Sequence, residues 1–332
     1  MRKKFIFSIP IFLSLGFFVF RFFHLFPSFS SYSSVSIVSP LGQKSGGSLS
    51  QYSFENLQKR KYAGGIIKLD KIIKYDINFT SFLFFYESDG KKISGLLNLP
   101  SGNGPFPVVV LLRGYVDQEI YYTGLGTQKV GEAFAKEGYL ALAPDFIGYG
   151  SSDPQLSADI LEDRFSKPVE VLNLLASIKS LKQANPDKIF LWGHSNGGQI
   201  ALSVLEISQK SYPTVLWAPV FKGFPEALTD YMHVLDDQGK KVKAAIDKFL
   251  LDYDASQYSI ITYLKKINSP LQIHQGTADD LVLISRSDEF VSQLKSLDKK
   301  VEYFTYQGAD HNLSGSAWQT AVSRSLVFFN KN

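Results

Sequence analysis

The chain has 332 residues, 45% of them hydrophobic and 20% charged, enough for one large domain or two small ones with a full core. It carries no cysteine, which excludes disulfides, thiolate metal sites and a cysteine nucleophile together. The formal net charge of +4 resides in Arg2, Lys3, Lys4 and Arg21; without these four, 31 basic residues face 31 acidic ones, so no basic surface for nucleic acid is expected.

Residues 5–20 are uncharged and follow Arg2-Lys3-Lys4, which marks residues 1–26 as a membrane-directed segment. Counted to Phe26, a helix would span roughly 33 Å, sufficient for the hydrocarbon core if Arg21 reaches the headgroups. Both an uncleaved anchor and a cleaved signal peptide fit this pattern. An Ala-x-Ala cleavage site is missing and only serine-based substitutes such as Ser28-Phe29-Ser30 stand in for it, which favours the anchor. The basic start should stay cytoplasmic, so the rest is expected outside, membrane-anchored, or secreted if the segment is removed. Residues 27–59 read as a serine-rich linker, with ten serines between positions 27 and 50.

The folded domain is expected over 60–332. Residues 80–86 and 93–99 are β-rich runs flanking Ser88-Asp89-Gly90-Lys91, a hairpin signal. Behind Pro105-Phe106-Pro107, the aliphatic run Val108-Val109-Val110-Leu111-Leu112 reads as a strand buried on both faces. Helices are then predicted near 127–137, 163–183, 198–209, 285–297 and 317–330. Strands are predicted at 139–143, 189–192, 214–217, 271–274 and 301–306. Such alternation predicts an α/β fold of the α/β-hydrolase kind: a mostly parallel central sheet, helices on both faces and an antiparallel N-terminal hairpin. Residues 220–267 interrupt it and, with an amphipathic stretch at 237–253, read as a helical cap insertion.

Trp192-Gly193-His194-Ser195-Asn196-Gly197-Gly198 follows a buried strand and opens a helix, the context of a Gly-x-Ser-x-Gly nucleophile elbow. There a strained turn lifts the serine hydroxyl above the sheet, and the helix start turns backbone N–H groups towards a developing oxyanion. Ser195 is therefore the candidate nucleophile. It needs a base, and the chain has five histidines. His24 lies in the membrane segment and His233 in the cap. His194 is the variable elbow residue, expected to pack or line a pocket, and His274 falls inside a strand as a core histidine. His311, in the loop Gly308-Ala309-Asp310-His311-Asn312 after the last strand, is the candidate base. The turn after the strand at 271–274 supplies the acid from Asp279 or Asp280, giving the chain order Ser, Asp, His. Asp310 reads as a residue that fixes its own loop. The oxyanion site is expected to use the N–H groups of Asn196 and of Tyr115, in the turn Arg113-Gly114-Tyr115.

These motifs resemble the catalytic domain of the prolyl oligopeptidase family and its dienelactone hydrolase-like relatives over residues 75–332. The match rests on Gly193-His194-Ser195-Asn196-Gly197-Gly198, on Gly276-Thr277-Ala278-Asp279-Asp280-Leu281-Val282, and on Asp145-Phe146-Ile147-Gly148-Tyr149-Gly150-Ser151. The family's Gly-x-x-Asp-x-x-Val pattern selects Asp279 over Asp280. The resemblance implies a serine hydrolase that cleaves a peptide or ester bond in a small substrate, with a serine-type peptidase favoured and a carboxylesterase as the alternative. A non-catalytic surface binding protein is a third reading, disfavoured by intact candidates for all three triad roles. The chain departs from the pattern at Arg113, where relatives often carry histidine, and in having fewer than 80 residues ahead of the domain, too few for a gating propeller. No metal or organic cofactor is implied, and the sequence carries no signal for oligomeric state.

Overall fold

The computed structural model describes residues 48–332 except 235–236. The proposed membrane segment, and the linker up to residue 47, lie outside the described residues. No helix among the described residues is long and apolar enough to cross a membrane.

Nine strands form one sheet: β1 Lys68–Tyr75, β2 Phe79–Ser88, β3 Lys91–Pro100, β4 Phe106–Leu112, β5 Leu140–Pro144, β6 Ala184–His194, β7 Thr214–Trp217, β8 Leu271–Gly276 and β9 Val301–Tyr306. Their spatial order is β1-β2-β3-β5-β4-β6-β7-β8-β9. The first three strands pair antiparallel and β3 meets β5 antiparallel. From β5 to β9 every pairing is parallel. The β2–β3 hairpin turns at Asp89 and Gly90, both with positive φ, which is why the Asp-Gly signal located it.

The helices are α1 Phe54–Lys59, α2 Gln128–Lys136, α3 Ile160–Ser177, α4 Asn196–Ser208, α5 Glu226–Thr229, α6 Lys240–Asp252, α7 Ile260–Tyr263, α8 Ile284–Ser296 and α9 Ser316–Lys331. They cover both sheet faces, and the aliphatic run of β4 shows how. Val108, Val110 and Leu112 enter the core shared with α3, α4 and α8, whereas Val109 and Leu111 enter the core shared with α2 and α9. The period-two alternation of a strand makes every side chain of the run apolar once both faces are covered. Among the described residues, three α-helices (α5, α6 and α7) and three short 3-10 segments between β7 and β8 make up the expected insertion. Phe224, Val242, Ile246, Phe249 and Tyr258 from it share a small core with Leu161 and Phe165 of α3.

Three expectations need correction. The packed body begins by Ser48, so residues 48–59 are not linker. Leu49, Phe54 and Leu57 are buried, and the serines there serve turns: Ser53 Oγ accepts from Asn56 N at 3.3 Å to cap α1. The edge strand β1 escaped prediction because lysines at 68, 71 and 74 interrupt its apolar alternation and two register shifts bend it. Finally, α3 starts three residues earlier and ends six earlier than predicted. Asp159 caps its first turn, accepting from Leu161 N at 2.9 Å, and the chain is already in β6 by Ala184.

Candidate active site

Strand order reverses around β4, which lies between β5 and β6. In open α/β sheets the carboxyl ends of such strands flank the ligand crevice. The turn after β4 and the elbow after β6 therefore emerge side by side. Ser195, at the junction of β6 and α4, has φ 54° and ψ −121°, a conformation costly for a side-chain-bearing residue. The surrounding glycines allow it. A Cβ on Gly197 would fall on the Leu112 carbonyl, and one on Gly114 would come within 3.1 Å of Ser195 Cβ. The elbow is held by Ser195 N donating to Trp217 O at 3.0 Å and Val220 N donating to Ser195 O at 3.0 Å.

The structure brings Asp279 and His311 together. His311 Nδ1 donates to Asp279 Oδ2 at 2.8 Å, leaving Nε2 as the lone-pair nitrogen. Asp279 is buried, and its remaining capacity is filled by Leu281 N at 2.9 Å, Val282 N at 2.8 Å and Gln275 Nε2 at 2.9 Å. Burial pushes its carboxyl up, but the hydrogen bonds from His311, Val282 and Gln275 outweigh that and hold it below the ordinary range. Gly276 is required where the acid turn leaves β8, because a Cβ there would strike the Ala309 carbonyl of the base loop. Asp280 is exposed. Ser195 Oγ makes no hydrogen bond to His311 in this structure; unliganded sites commonly hold this contact open.

The other histidines and Asp310 have ordinary roles. His274 is fully buried between Tyr306 OH and Gln272 Oε1, each at 2.7 Å. His233 is exposed. Asp310 accepts from Asn312 N at 3.2 Å and from Ser314 N and Oγ at 2.8 Å, fixing the loop that carries His311.

The turn bearing Tyr115 is braced from below by Arg113. Its guanidinium donates to Gly114 O at 3.0 Å and Asp145 O at 3.2 Å, and lies 4.5 Å and 4.2 Å from the ring centres of Tyr121 and Tyr149. Asp145, in the Asp-x-x-Gly-x-Gly-x-Ser loop, accepts from Ser94 Oγ, Tyr121 OH and Thr123 Oγ1 at 2.5, 2.7 and 2.8 Å. The departure at Arg113 thus has a structural reason: an arginine caged by two tyrosines holds the turn. The Tyr115 side chain itself points outward, its OH donating to Asp117 Oδ1 at 2.8 Å. Its backbone N–H has no backbone partner, and the N–H of Asn196, in the first turn of α4, has none within its helix.

Sequence reasoning missed one residue here. Arg164 on α3 donates to Asn196 Oδ1 at 3.5 Å and to Gln199 Oε1, and has no carboxylate within ion-pair distance among the described residues. Burial lowers its pKa to about 10. No sequence signal marks it, since only the packing of α3 on α4 brings it to the elbow at Ser195. His194, which the sequence has packing or lining a pocket, places its Nε2 3.0 Å from His311 O. A groove of about 490 Å³ adjoins the site on that side, lined by Trp192, His194, Trp217, Asn312 and Trp318. Among the described residues, no three His, Asp or Glu side chains are grouped to hold a metal ion.

The dienelactone hydrolase family pattern matches residues 93–317. The uncharacterized peptidase YtmA of Bacillus subtilis (strain 168) is 25% identical over 233 residues, 68% of this chain and 84% of that protein. Acetyl xylan esterase from Paenibacillus sp. R4 superposes with a TM-score of 0.62 at 16% identity, over 84% of this chain and 92% of that one. Porphyromonas gingivalis dipeptidyl peptidase 4 superposes with a TM-score of 0.56 at 16% identity, over 77% of this chain and 36% of that one. This chain therefore spans about a third of that peptidase. The nine-stranded sheet is that of an α/β-hydrolase, and with two thirds of its residues inside the family pattern the chain belongs to the dienelactone hydrolase family, as a hydrolase of the esterase and peptidase type.

Proposed function

We propose that this hydrolase cleaves an acyl bond through an acyl-enzyme on Ser195. The observation that carries this reading is the left-handed backbone of Ser195 at the strand–helix junction, φ 54°, in a chain whose Asp279 and His311 are already paired at 2.8 Å. Ser195 Oγ attacks the carbonyl carbon while its proton passes to His311 Nε2. The N–H groups of Asn196 and Tyr115 bind the oxyanion. His311 then protonates the departing amine or alcohol, the acyl group staying on Oγ. Water attacks that ester, gives its proton to His311, and the serine hydroxyl is restored as the acid leaves. Asp279 keeps Nδ1 protonated and stabilises the imidazolium.

We read the substrate as a short peptide, supported by the relative named a peptidase that aligns along most of its length. The family's name, which describes hydrolysis of a lactone, supports an ester as the second reading. The apolar residues 5–20 support an anchored, extracytoplasmic placement. The test is fluorophosphonate labelling of the detergent-solubilised chain, with the adduct located by peptide mass, alongside turnover of aminoacyl amides and short acyl esters. Labelling on Ser195 that His311→Ala removes is expected. A folded protein that neither labels nor turns over would refute the acyl-enzyme. Faster turnover of esters at every chain length would transfer the substrate assignment to carboxylic esters.

A further inference from the structure

The elbow motif leaves its second residue free in chemistry, yet in this chain that residue touches both other parts of the site. His194 closes β6 immediately before Ser195. Its Nε2 lies 3.0 Å from the backbone oxygen of His311, 117 residues further along the chain, and the two imidazole rings are 4.7 Å apart. A carbonyl oxygen only accepts, so Nε2 carries the proton and donates. Nδ1 is then bare and faces the oxyanion turn, where a Cβ added to Gly114 would stand 3.5 Å away. Trp192 stacks beside the ring at 6.2 Å and limits its rotation. Enclosure and the neighbouring His311 imidazole push the pKa of His194 down to about 4, so it is neutral while His311 cycles through its cation.

The base loop otherwise depends on bonds that do not reach the nucleophile. Asp310 ties it to Ser314, and Ala278 N donates to Ala309 O at 3.0 Å from the acid turn. The described hydrogen bonds include one link from the elbow to His311 itself, the one from His194. We propose that His194 is a positioning residue, a strut from the elbow to the His311 carbonyl that sets the approach of His311 Nε2 to Ser195 Oγ. This rests on the acyl-enzyme reading above. A base displaced by about 1 Å costs on the order of a hundredfold in rate, whereas substrate affinity depends on other groups.

The test compares His194→Phe, His194→Gln and His194→Asn in the detergent-solubilised full chain. A glutamine amide reaches the position of Nε2 and can donate to the same carbonyl; an asparagine amide is too short, and phenylalanine keeps the ring without a donor. Expected for Phe and Asn is a fall of about 10- to 100-fold in kcat and in fluorophosphonate labelling rate, with KM within about twofold of the parent. Gln should return to within about fivefold of wild type. Unimpaired turnover in the Phe variant overturns the proposal. So does equal loss in Gln and Asn that follows their melting temperatures, since a merely structural role would produce that. A wild-type chain without label on Ser195 removes the triad reading and this one with it, whereas a labelled wild type with an unimpaired Phe variant removes this one alone.

Discussion

Glu206 sits on α4, three turns beyond Ser195, with no measurable exposure, and neither carboxyl oxygen has a hydrogen-bond partner. The helix packs there against α1, whose Gln58 donates to the Glu206 backbone oxygen rather than to its side chain. Burial alone raises its pKa well above the ordinary 4.5, so the folded protein holds it neutral. Below pH 4.5 the carboxyl is protonated in both states and no penalty arises. Above it the unfolded chain releases the proton and the folded one does not, so stability is lost as pH rises towards the folded value. The loss is at most about 1.4 kcal/mol for each pH unit below the folded value. Glu206→Gln keeps the shape and removes the titration. Its unpaired amide carries a cost of its own, but one independent of pH, so the slope is the readout. Urea denaturation of both proteins between pH 5 and 8 should show the stability of the variant relative to wild type rising with pH, by no more than about 1.4 kcal/mol per unit. Glu170, which burial raises to about 7, is present in both and cancels. Parallel curves across that range would refute the argument.

Asp279→Ala should lower kcat by roughly 10⁴-fold while Asp280→Ala stays within about threefold, measured on the better of the amide and ester substrates. The reverse ranking would overturn the acid assignment. Arg164→Met removes a cation that has no carboxylate partner, so stability in urea should hold or improve. Turnover should fall about tenfold as Asn196 loses its brace, a split that a purely structural arginine would not produce. Two buried neutral histidines make the domain acid-sensitive. The folded pKa values of His274 and His194 are depressed to about 3 and about 4, so stability is full above pH 6.5 and declines as the unfolded chain takes up protons below it. His274→Gln should flatten that decline in urea titrations from pH 7 to 4.5. The full chain should remain with membranes through alkaline carbonate washing, and removal of residues 1–26 should release it; a full chain found in the supernatant would refute the anchor.

Ser195, Asp279 and His311 could be singled out as candidates because each is surrounded by residues that the local backbone demands. The elbow needs glycines at 193 and 197, the acid turn needs Gly276 against the base loop, and few histidines compete. The strand at 214–217 was placed to the residue because burial on both faces leaves the uninterrupted run Thr214-Val215-Leu216-Trp217, whereas the half-buried edge strand at 301–306 was placed by its β-branched and aromatic residues. The edge strand β1 was hidden, since an edge is shaped by what must not pair with it and lysines there erase the alternation. Residues 48–59 read as linker because serine serves both loops and caps, and only the burial of Leu49, Phe54 and Leu57 separates the two.

What the sequence by itself determined is therefore the alternation, the order of the chemical groups along the chain and the turns that carry them, all of which are local backbone requirements. The tertiary structure alone decided which distant side chains meet: Arg113 between Tyr121 and Tyr149, Arg164 against Asn196, and His194 against the carbonyl of His311. Such contacts depend on how helices and loops settle on the sheet, and no periodicity or spacing along the chain records them.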